Sequence, residues 1–482
     1  MSSRPFLNRL TSALPQAGEF ALTESLFLRI LGLIYVTTFA SFWPQIVGLV
    51  GSHGVVPANQ FLMAVRGEQG PLFLRLPTVF WLGISDHGLV ACCILGCVGG
   101  VCLAAGFLRR LAAAVCWILY LSLVNIGQPF SSFQWDALLL ESGFLALFAG
   151  APLVVWAYRF LLFRLMFESG VVKIISHDPN WRNLHALRYH FMTQPLPNPV
   201  AYYAYRLPHQ VLDLFAVATL FVEFVVPFFL FGPRRLRHIA AAVLIGFQLL
   251  IILTGNYAFF NFLTIALCVW AFEDASFKAL SRWLGKVTLP KWSWLMRLLN
   301  AMVVLLILLG AFELIEVIRP VDVPPASKLL SVISPFEITN TYGLFAVMTT
   351  TRPEIILEGS DDAVQWKEYS FRYKPGDLHR EVPFIAPYQP RLDWQMWFAA
   401  LGSYQENTWV SGLMYRLMTG EPSVIGLLGP PPFAKPPKYM RALLYNYQFT
   451  TLQERSRTGA VWSRSLLGVW YGPVSLKPSL TQ

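Results

Sequence analysis

Charged residues and cysteine are scarce in this sequence. Asp, Glu, Lys and Arg make up only 13% of its 482 residues, whereas 55% are hydrophobic; soluble globular proteins carry about 25% charged residues. The composition therefore excludes an ordinary soluble protein and predicts a polytopic α-helical membrane protein. The net charge of +10 does not indicate nucleic-acid binding, because the basic residues cluster in short loops between apolar segments.

The few cysteines form no redox motif, since no Cys-x-x-Cys pair is present. All six lie in apolar segments, at Cys92, Cys93, Cys97, Cys102, Cys116 and Cys268. Buried cysteines usually behave as small hydrophobic residues, and a thiol–disulfide oxidoreductase requires an accessible thiol of low pKa. The sequence also lacks a nucleophile elbow, a Walker A loop and a dinucleotide fingerprint. We therefore expect neither a soluble-type hydrolase nor a nucleotide-driven pump.

Nine apolar segments are candidate membrane spans. They cover about residues 26–48, 87–107, 111–127, 133–150, 152–175, 210–231, 237–253, 256–272 and 297–318. Basic residues follow the second, sixth and eighth segments, at 109–110, 233–238 and 278–297. Positively charged loops stay in the cytoplasm, so the N-terminus is expected inside and the loops at 50–86 and 176–209 outside.

The composition changes after about residue 320, and an odd number of spans places this region outside the cytoplasm. We expect a multi-span domain at 1–320, a β-rich or α+β extracytoplasmic domain at 335–455 and a loosely ordered tail at 456–482. Strands are predicted at 342–350, 354–359, 365–373 and 443–447, and helices at 391–401 and 407–419. The exported region contains no N-glycosylation sequon, which favours a bacterial inner membrane over the ER membrane of a eukaryote.

Ionisable residues within the spans point to a site, because charges inside a membrane are costly. Gln134 and Glu141 are seven residues apart and share a helix face, and Arg164 and Glu168 have i,i+4 spacing. One interpretation is that these charges only pair with one another and hold helices together. The other is a polar cavity that opens outward, with Lys173 at its rim, where burial would lower the lysine pKa towards general-base use.

The segment 176–208 is dense in polar and aromatic residues and lies between apolar segments. This pattern predicts a structured extracytoplasmic loop that closes over the membrane site. Its candidate binding residues are Asp178, Trp181, Arg182, Tyr189, His190 and Gln194. His185 is a further candidate for chemistry, but His185 and His190 are five residues apart and do not share a helix face, so we expect no metal site.

Five motifs resemble the lipase maturation factor family. They are SFQWDALLLESG at 132–143, DPNWRNLHAL at 178–187, QPLP at 194–197, NTYGLF at 340–345 leading to Arg352, and PRLDWQMWF at 390–398. The resemblance covers about residues 20–450 and implies a multi-pass membrane protein whose eukaryotic relatives help secreted lipases to reach their active, assembled state in the ER. The candidate binding residues in these motifs are Gln134, Trp135, Asp136, Arg352, Trp394 and Trp397.

A shorter stretch, SGVVKI at 169–174 followed by Trp181, is similar to the lysine-containing segment of the vitamin K-dependent γ-glutamyl carboxylase membrane domain. This resemblance implies that Lys173 stands where the carboxylase has its catalytic base. The large extracytoplasmic region of the carboxylase is not evident here. The similarity therefore bears on the fold more than on carboxylation.

The first of two functional hypotheses is a membrane-anchored maturation or folding factor. Its loop at 176–208 and its C-terminal domain would bind an exported client protein, such as a lipase. Trp394, Trp397 and Trp409 would supply an exposed contact surface. The alternative interpretation of these tryptophans is ordinary core.

The second hypothesis is an enzyme embedded in the membrane. Lys173 would act as the base, with Glu141, Glu168 or His185 nearby and Arg164 as a binding residue. Its substrate would be a lipid, a quinone or an exported protein. The sequence identifies no cofactor for either hypothesis.

Overall fold

The computed structural model of the chain describes residues 19–67, 70–284, 293–321 and 323–476. In its N-terminal two thirds the helices are α1 (Ala21–Val50), α2 (Ala58–Arg66), α3 (Leu72–Arg75), α4 (Asp86–Ala105), α5 (Arg109–Ile126), α6 (Gln134–Leu145), α7 (Val154–Ile175), α8 (Pro179–Arg182), α9 (Leu187–Thr193), α10 (Pro199–Ala204), α11 (His209–Phe224), α12 (Arg234–Thr254), α13 (Phe260–Cys268), α14 (Ser281–Leu284), α15 (Ser293–Ile318) and α16 (Pro324–Ile333). The remaining elements are β1 (Arg352–Ser360), β2 (Lys367–Glu368), α17 (Arg391–Leu401), α18 (Trp409–Met418), α19 (Pro422–Ile425), β3 (Tyr439–Phe449), α20 (Leu452–Thr458) and β4 (Trp462–Ser475).

Six helices in the described ranges are long and apolar enough to cross a membrane, namely α1, α4, α5, α11 with its 3-10 extension to Phe231, α12 and α15. A seventh span results if the bent pair Phe260–Ala271 and Asp274–Leu284 is counted as one. All nine predicted segments contain helix, but two fall short of this test. The 12 residues of α6 extend only about 18 Å, whereas the hydrocarbon core is about 30 Å thick. The helix α7 is long enough but carries four ionisable residues.

Local signals explain where several helices begin and end. The Ser85 side chain accepts a hydrogen bond from the backbone N–H of Gly88 at the start of α4, and Gly106 ends this helix in the left-handed conformation with φ 79°. In the polar loop, Asp178 caps α8 by accepting from two backbone N–H groups. Asn198 caps α10 in the same way. The loop at 176–208 therefore contains three short helices, two of them capped by side chains, as expected for a structured segment.

The C-terminal region forms one antiparallel sheet with the order β2-β1-β3-β4. The predicted strands at 354–359 and 443–447 and the predicted helices at 391–401 and 407–419 are confirmed. The segment at 365–373 contributes only the two residues of β2.

Two predictions for this region are wrong. Residues 342–350 form no strand, because six of their backbone groups bond to side chains of the helical domain. Part of the expected loosely ordered tail at 456–482 forms β4, a 14-residue strand paired with β3. Its glycines, proline and serines conceal the alternating pattern that indicates a strand.

The sheet domain packs on the end of the helical domain where α1 terminates. Arg416 of α18 donates to the carbonyl oxygen of Gly54 at 3.0 Å, just after α1. At the opposite end of α1, Arg109 donates to the Ser25 hydroxyl (3.1 Å). Arg109 is one of the basic residues that we expect in the cytoplasm. At 1.5 Å per residue, the 30 residues of α1 separate these two ends by about 45 Å.

Candidate functional site

Residues 340–348 run along α7 and are held there by side chains of the helical domain; we call them the clamped segment. Seven side chains form hydrogen bonds with its backbone, those of Gln134, Arg164, Glu168, Lys173, Ser176, Asp178 and Trp181. Six of these seven are residues that the sequence singles out as site candidates. The structure therefore brings these candidates together, but around a part of the same chain.

Arg164 lies at the centre of a buried charge cluster. It forms ion pairs with Glu141 of α6 and with Glu313 of α15, the latter at 3.1 Å. Tyr342 connects this cluster to the clamped segment, since its hydroxyl donates to Glu141 Oε2 (2.7 Å) and its backbone N–H donates to Glu168 Oε2 (2.7 Å). The pairing interpretation therefore describes these charges well, although Arg164 does not pair with Glu168. Glu313 is not among the residues that the sequence singles out, although a carboxylate in an apolar span is itself a signal.

Lys173 is buried, with 3% of its surface exposed, and all of its donors are engaged. Its Nζ donates to Glu223 Oε1 (2.9 Å), to the Ser169 carbonyl oxygen (3.0 Å) and to the Leu344 carbonyl oxygen (3.1 Å). An ammonium group has three N–H donors, so none is left for a substrate. Glu223, its partner on α11, was not singled out in the sequence.

A second polar group surrounds His190 on the loop. The Tyr257 hydroxyl donates to Gln194 Oε1 (2.8 Å) and lies 3.3 Å from His190 Nε2. Gln194 Nε2 in turn donates to the Thr254 carbonyl oxygen (2.7 Å). Burial and the nearby Lys173 ammonium lower the pKa of His190 to about 4, so the imidazole is neutral near neutral pH.

A cavity of about 420 Å³ lies between α7, α11, α12 and α13. Lys173, Glu223, His190 and Tyr257 line it together with mainly apolar side chains. One interpretation of the sequence is a polar cavity with Lys173 at its rim, and the enzyme hypothesis adds Glu141, Glu168 or His185 nearby; the observed cavity differs from this in two respects. The lining is largely apolar, and none of those three residues belongs to it.

Asp136 and Arg391 join the two domains through a buried ion pair. The Arg391 guanidinium contacts both oxygens of the Asp136 carboxylate, at 2.9 and 3.0 Å, and the Tyr120 hydroxyl donates to the same carboxylate. Arg391 also donates to the Phe130 carbonyl oxygen (2.7 Å). Asp136 lies in the first turn of α6, and no side chain caps the N-terminus of this helix.

Arg352 of β1 holds the QPLP part of the loop. Its guanidinium donates to the carbonyl oxygens of Met192 (2.8 Å) and Pro195 (2.8 Å) and pairs with Glu354 at 2.8 Å. Trp397 donates from Nε1 to a further loop carbonyl oxygen, that of Thr193, at 3.0 Å. Both candidate binding residues therefore bind the loop at 176–208 within this chain.

The three tryptophans proposed as a contact surface are core residues. Trp394, Trp397 and Trp409 are all buried, so the prediction of an exposed aromatic contact surface is wrong. Trp394 packs edge-on against Trp135 with ring centroids 4.6 Å apart. Their burial follows from the docking of α17 and α18 onto the helical domain, where Trp409 packs against Phe130, and the sequence of these two helices alone does not reveal it.

The remaining loop candidates lie nearer the surface. Arg182 is exposed and its guanidinium contacts the His177 ring. His185 and Tyr189 are partly exposed, and neither lines the cavity. The structure therefore does not place His185 within reach of Lys173.

Substituting alanine for Gly343 is expected to loosen the clamped segment. A Cβ at this position would lie 2.8 and 2.9 Å from the two Cγ atoms of Val172, a β-branched side chain that has little freedom on a helix. We expect a loss of about 1–3 kcal/mol in the free energy of unfolding, measured as a lower melting temperature in detergent. Gly376→Ala is the matched control, because no atom lies within 4 Å of its Cβ position. Equal melting temperatures for the two variants would contradict the tight approach.

Comparison with known proteins gives two family matches in this chain. Residues 22–279 match the lipase maturation factor transmembrane domain, and residues 338–472 match the lipase maturation factor C-terminal domain. The chain is 33% identical to lipase maturation factor 1 of Bos taurus, covering 95% of this chain and 90% of that protein. It is 34% identical to lipase maturation factor 2 of Mus musculus and of Homo sapiens, covering in each case 94% of this chain and 83% of the relative. No solved structure matches.

Proposed function

The chain belongs to the lipase maturation factor family and is an integral multi-pass membrane protein, and on that premise we propose that it is a maturation factor for exported client proteins, lipases among them. The observation that carries the proposal is the joint match of both domains, over residues 22–279 and 338–472. The clamped segment and the Asp136–Arg391 ion pair support it further, because they fix the sheet domain on the helical domain as a rigid platform.

We also propose that the sheet domain lies outside the cytoplasm, in a bacterial inner membrane or, in a eukaryote, in the ER membrane. The basic residues at 109–110 and 233–238 belong to loops that the positive-inside rule assigns to the cytoplasm. The sheet domain packs at the other end of α1, against Gly54 and the loop at 176–208. This separation of basic loops from the sheet domain is consistent with an exported C-terminal domain.

The surface proposed for client contact is the exposed edge of β4. In the sheet order, β4 is the outermost strand beside β3, and an edge strand offers unpaired backbone groups to a partner. Leu466, Leu467 and Val469 on this strand are 57%, 58% and 62% exposed. Apolar side chains at this exposure are typical of a contact surface for a partner.

The alternative of an enzyme that uses Lys173 as a base has no support in the comparisons. A base must first release its proton to bulk water or to a partner and then face the substrate. Lys173 instead donates to Glu223, Ser169 and Leu344. These contacts account for a buried lysine without any chemistry.

The experiment that tests the proposed function is the specific activity of a co-expressed secreted lipase, in units per mass of exported enzyme. The factor should raise this value relative to cells without it, at matched membrane levels of the factor and its variants. A flat result would mean that this lipase is not a client. Removing the C-terminal domain is a poor test, because the side chains that hold the clamped segment would lose their partners.

Replacing Leu466, Leu467 and Val469 together with serine is expected to return lipase specific activity to the level without the factor. The reason is that interface energy is concentrated in a few apolar anchors, whereas exposed positions contribute little to folding. The control variant carries serine at Val364 and Leu452, which are 78% and 56% exposed and do not belong to β4. If the β4 variant is as active as the control at equal abundance, β4 is not the client surface.

A further inference from the structure

The cavity beside Lys173 is open towards the lipid-facing side of the helical domain. Phe215 of α11 and Leu250 of α12 both line it and are 42% and 62% exposed on the outer surface. Gly246 of α12 also lines it, and no atom lies within 4 Å of the position that a Cβ would take there. A molecule in the bilayer can therefore reach the cavity sideways, between α11 and α12.

Two residues that line this cavity, Glu223 and His190, each carry a buried hydrogen-bond acceptor for which the described part of the chain provides no donor. Glu223 accepts from Lys173 through Oε1, whereas its buried Oε2 has no partner, and neither has His190 Nδ1. The Tyr257 hydroxyl donates to Gln194, so its oxygen accepts from Nε2–H of the neutral His190 ring. This assignment leaves His190 Nδ1 as an acceptor.

We propose that this cavity binds a neutral lipid with one acyl chain and a hydroxyl-bearing headgroup, a monoacylglycerol being the simplest example. The hydroxyl groups donate to Glu223 Oε2 and His190 Nδ1, which are costly to leave unpaired in a buried site. The acyl chain fills the apolar remainder, and the volume of about 420 Å³ lies in the range of about 300–1,000 Å³ that is typical of ligand cavities.

The charges of the site select against an anionic headgroup. The free Glu223 oxygen would repel a carboxylate or phosphate. The three donors of Lys173 are already engaged with Glu223, Ser169 and Leu344. A headgroup that donates hydrogen bonds and carries no charge is the one that fits.

The bound lipid also contacts the clamped segment, because Leu344 and Phe345 form part of the cavity wall. A ligand that binds only the folded state stabilises it by mass action. Lipid binding is therefore expected to raise the melting temperature of the full-length chain, independently of any client protein.

The test uses the purified full-length protein in detergent, titrated with 1-monooleoylglycerol and, separately, with methyl oleate. Both probes have the same acyl chain, but methyl oleate has no hydroxyl donor. We expect 1-monooleoylglycerol to raise the melting temperature saturably and methyl oleate to bind at least about tenfold more weakly. Equal affinity for the two probes would overturn the role given to Glu223 and His190.

A substitution at Gly246 tests the location of the site. Gly246→Leu places a side chain in the open space of the cavity and should abolish the shift with 1-monooleoylglycerol, while the melting temperature without lipid is kept. Ala242→Leu, one turn earlier on the exposed side of α12, adds a leucine outside the cavity and should bind like the unmodified protein. Identical binding by the two variants would place the lipid elsewhere and overturn the proposal.

Discussion

Lys173→Met is expected to lower the free energy of unfolding by about 3–5 kcal/mol, because removing one partner of a buried ion pair leaves the other charge unpaired. The charge left behind is Glu223, which is 5% exposed and has no other donor among the described residues. The melting temperature in detergent and the amount of protein in the membrane measure this loss. Lipase specific activity should fall with the abundance of the factor.

The double variant Lys173→Met with Glu223→Met separates a structural role from a catalytic one. Replacing both members of a buried pair by apolar residues of similar size is often neutral or stabilising. The double variant should therefore recover most of the stability and of the lipase maturation, the unbonded Leu344 carbonyl accounting for the remainder. A stable double variant that fails to raise lipase specific activity would show instead that the Lys173–Glu223 pair has a role beyond stability.

Arg391→Ala is expected to have an effect of similar size, about 3–5 kcal/mol, located at the contact between the two domains. It leaves the buried Asp136 carboxylate without its bidentate partner, and the Phe130 carbonyl oxygen without a donor. The sheet domain should detach more readily from the helical domain. Limited proteolysis of the connection before α17, together with the melting temperature, measures this change.

Arg464→Ala is the matched control for Arg391→Ala. Arg464 also pairs with a carboxylate, that of Glu368, but the two side chains are 22% and 38% exposed. Exposed ion pairs contribute about 0–1 kcal/mol, so this variant should melt close to the unmodified protein. Similar losses for the two arginine variants would mean that the Asp136–Arg391 contact does not hold the domains together.

The sequence predicts most of the elements of this fold, because apolar length and periodicity are local properties. It also singles out Lys173 and Arg164, which form buried ion pairs, but it does not single out Glu223 and Glu313. It does not identify their partners. Lys173 and Glu223 are 50 residues apart and Asp136 and Arg391 are 255 apart, and a single sequence carries no signal that connects such distant positions.

The clamped segment is the clearest case in which tertiary context overrides local pattern. Its aromatic and β-branched residues predict a strand at 342–350. Gln134, Glu168 and Asp178 accept from its backbone N–H groups instead, so no neighbouring strand is needed. The buried tryptophans are a second such case. Aromatic residues at helical spacing form the same sequence pattern whether they lie in a core or on a contact surface.

The clamped segment also determines when the helical domain can finish folding during synthesis. The ribosome synthesises α6 and α7 before residues 340–348. The two helices therefore enter the membrane before the backbone groups exist to which Glu168 and Gln134 are hydrogen-bonded in the folded protein. Intramembrane charges without partners are costly, and chains mature from the N-terminus. The helical domain is therefore unfinished until the ribosome has passed residue 348, and a chain cut short before that point should be recognised as defective and degraded.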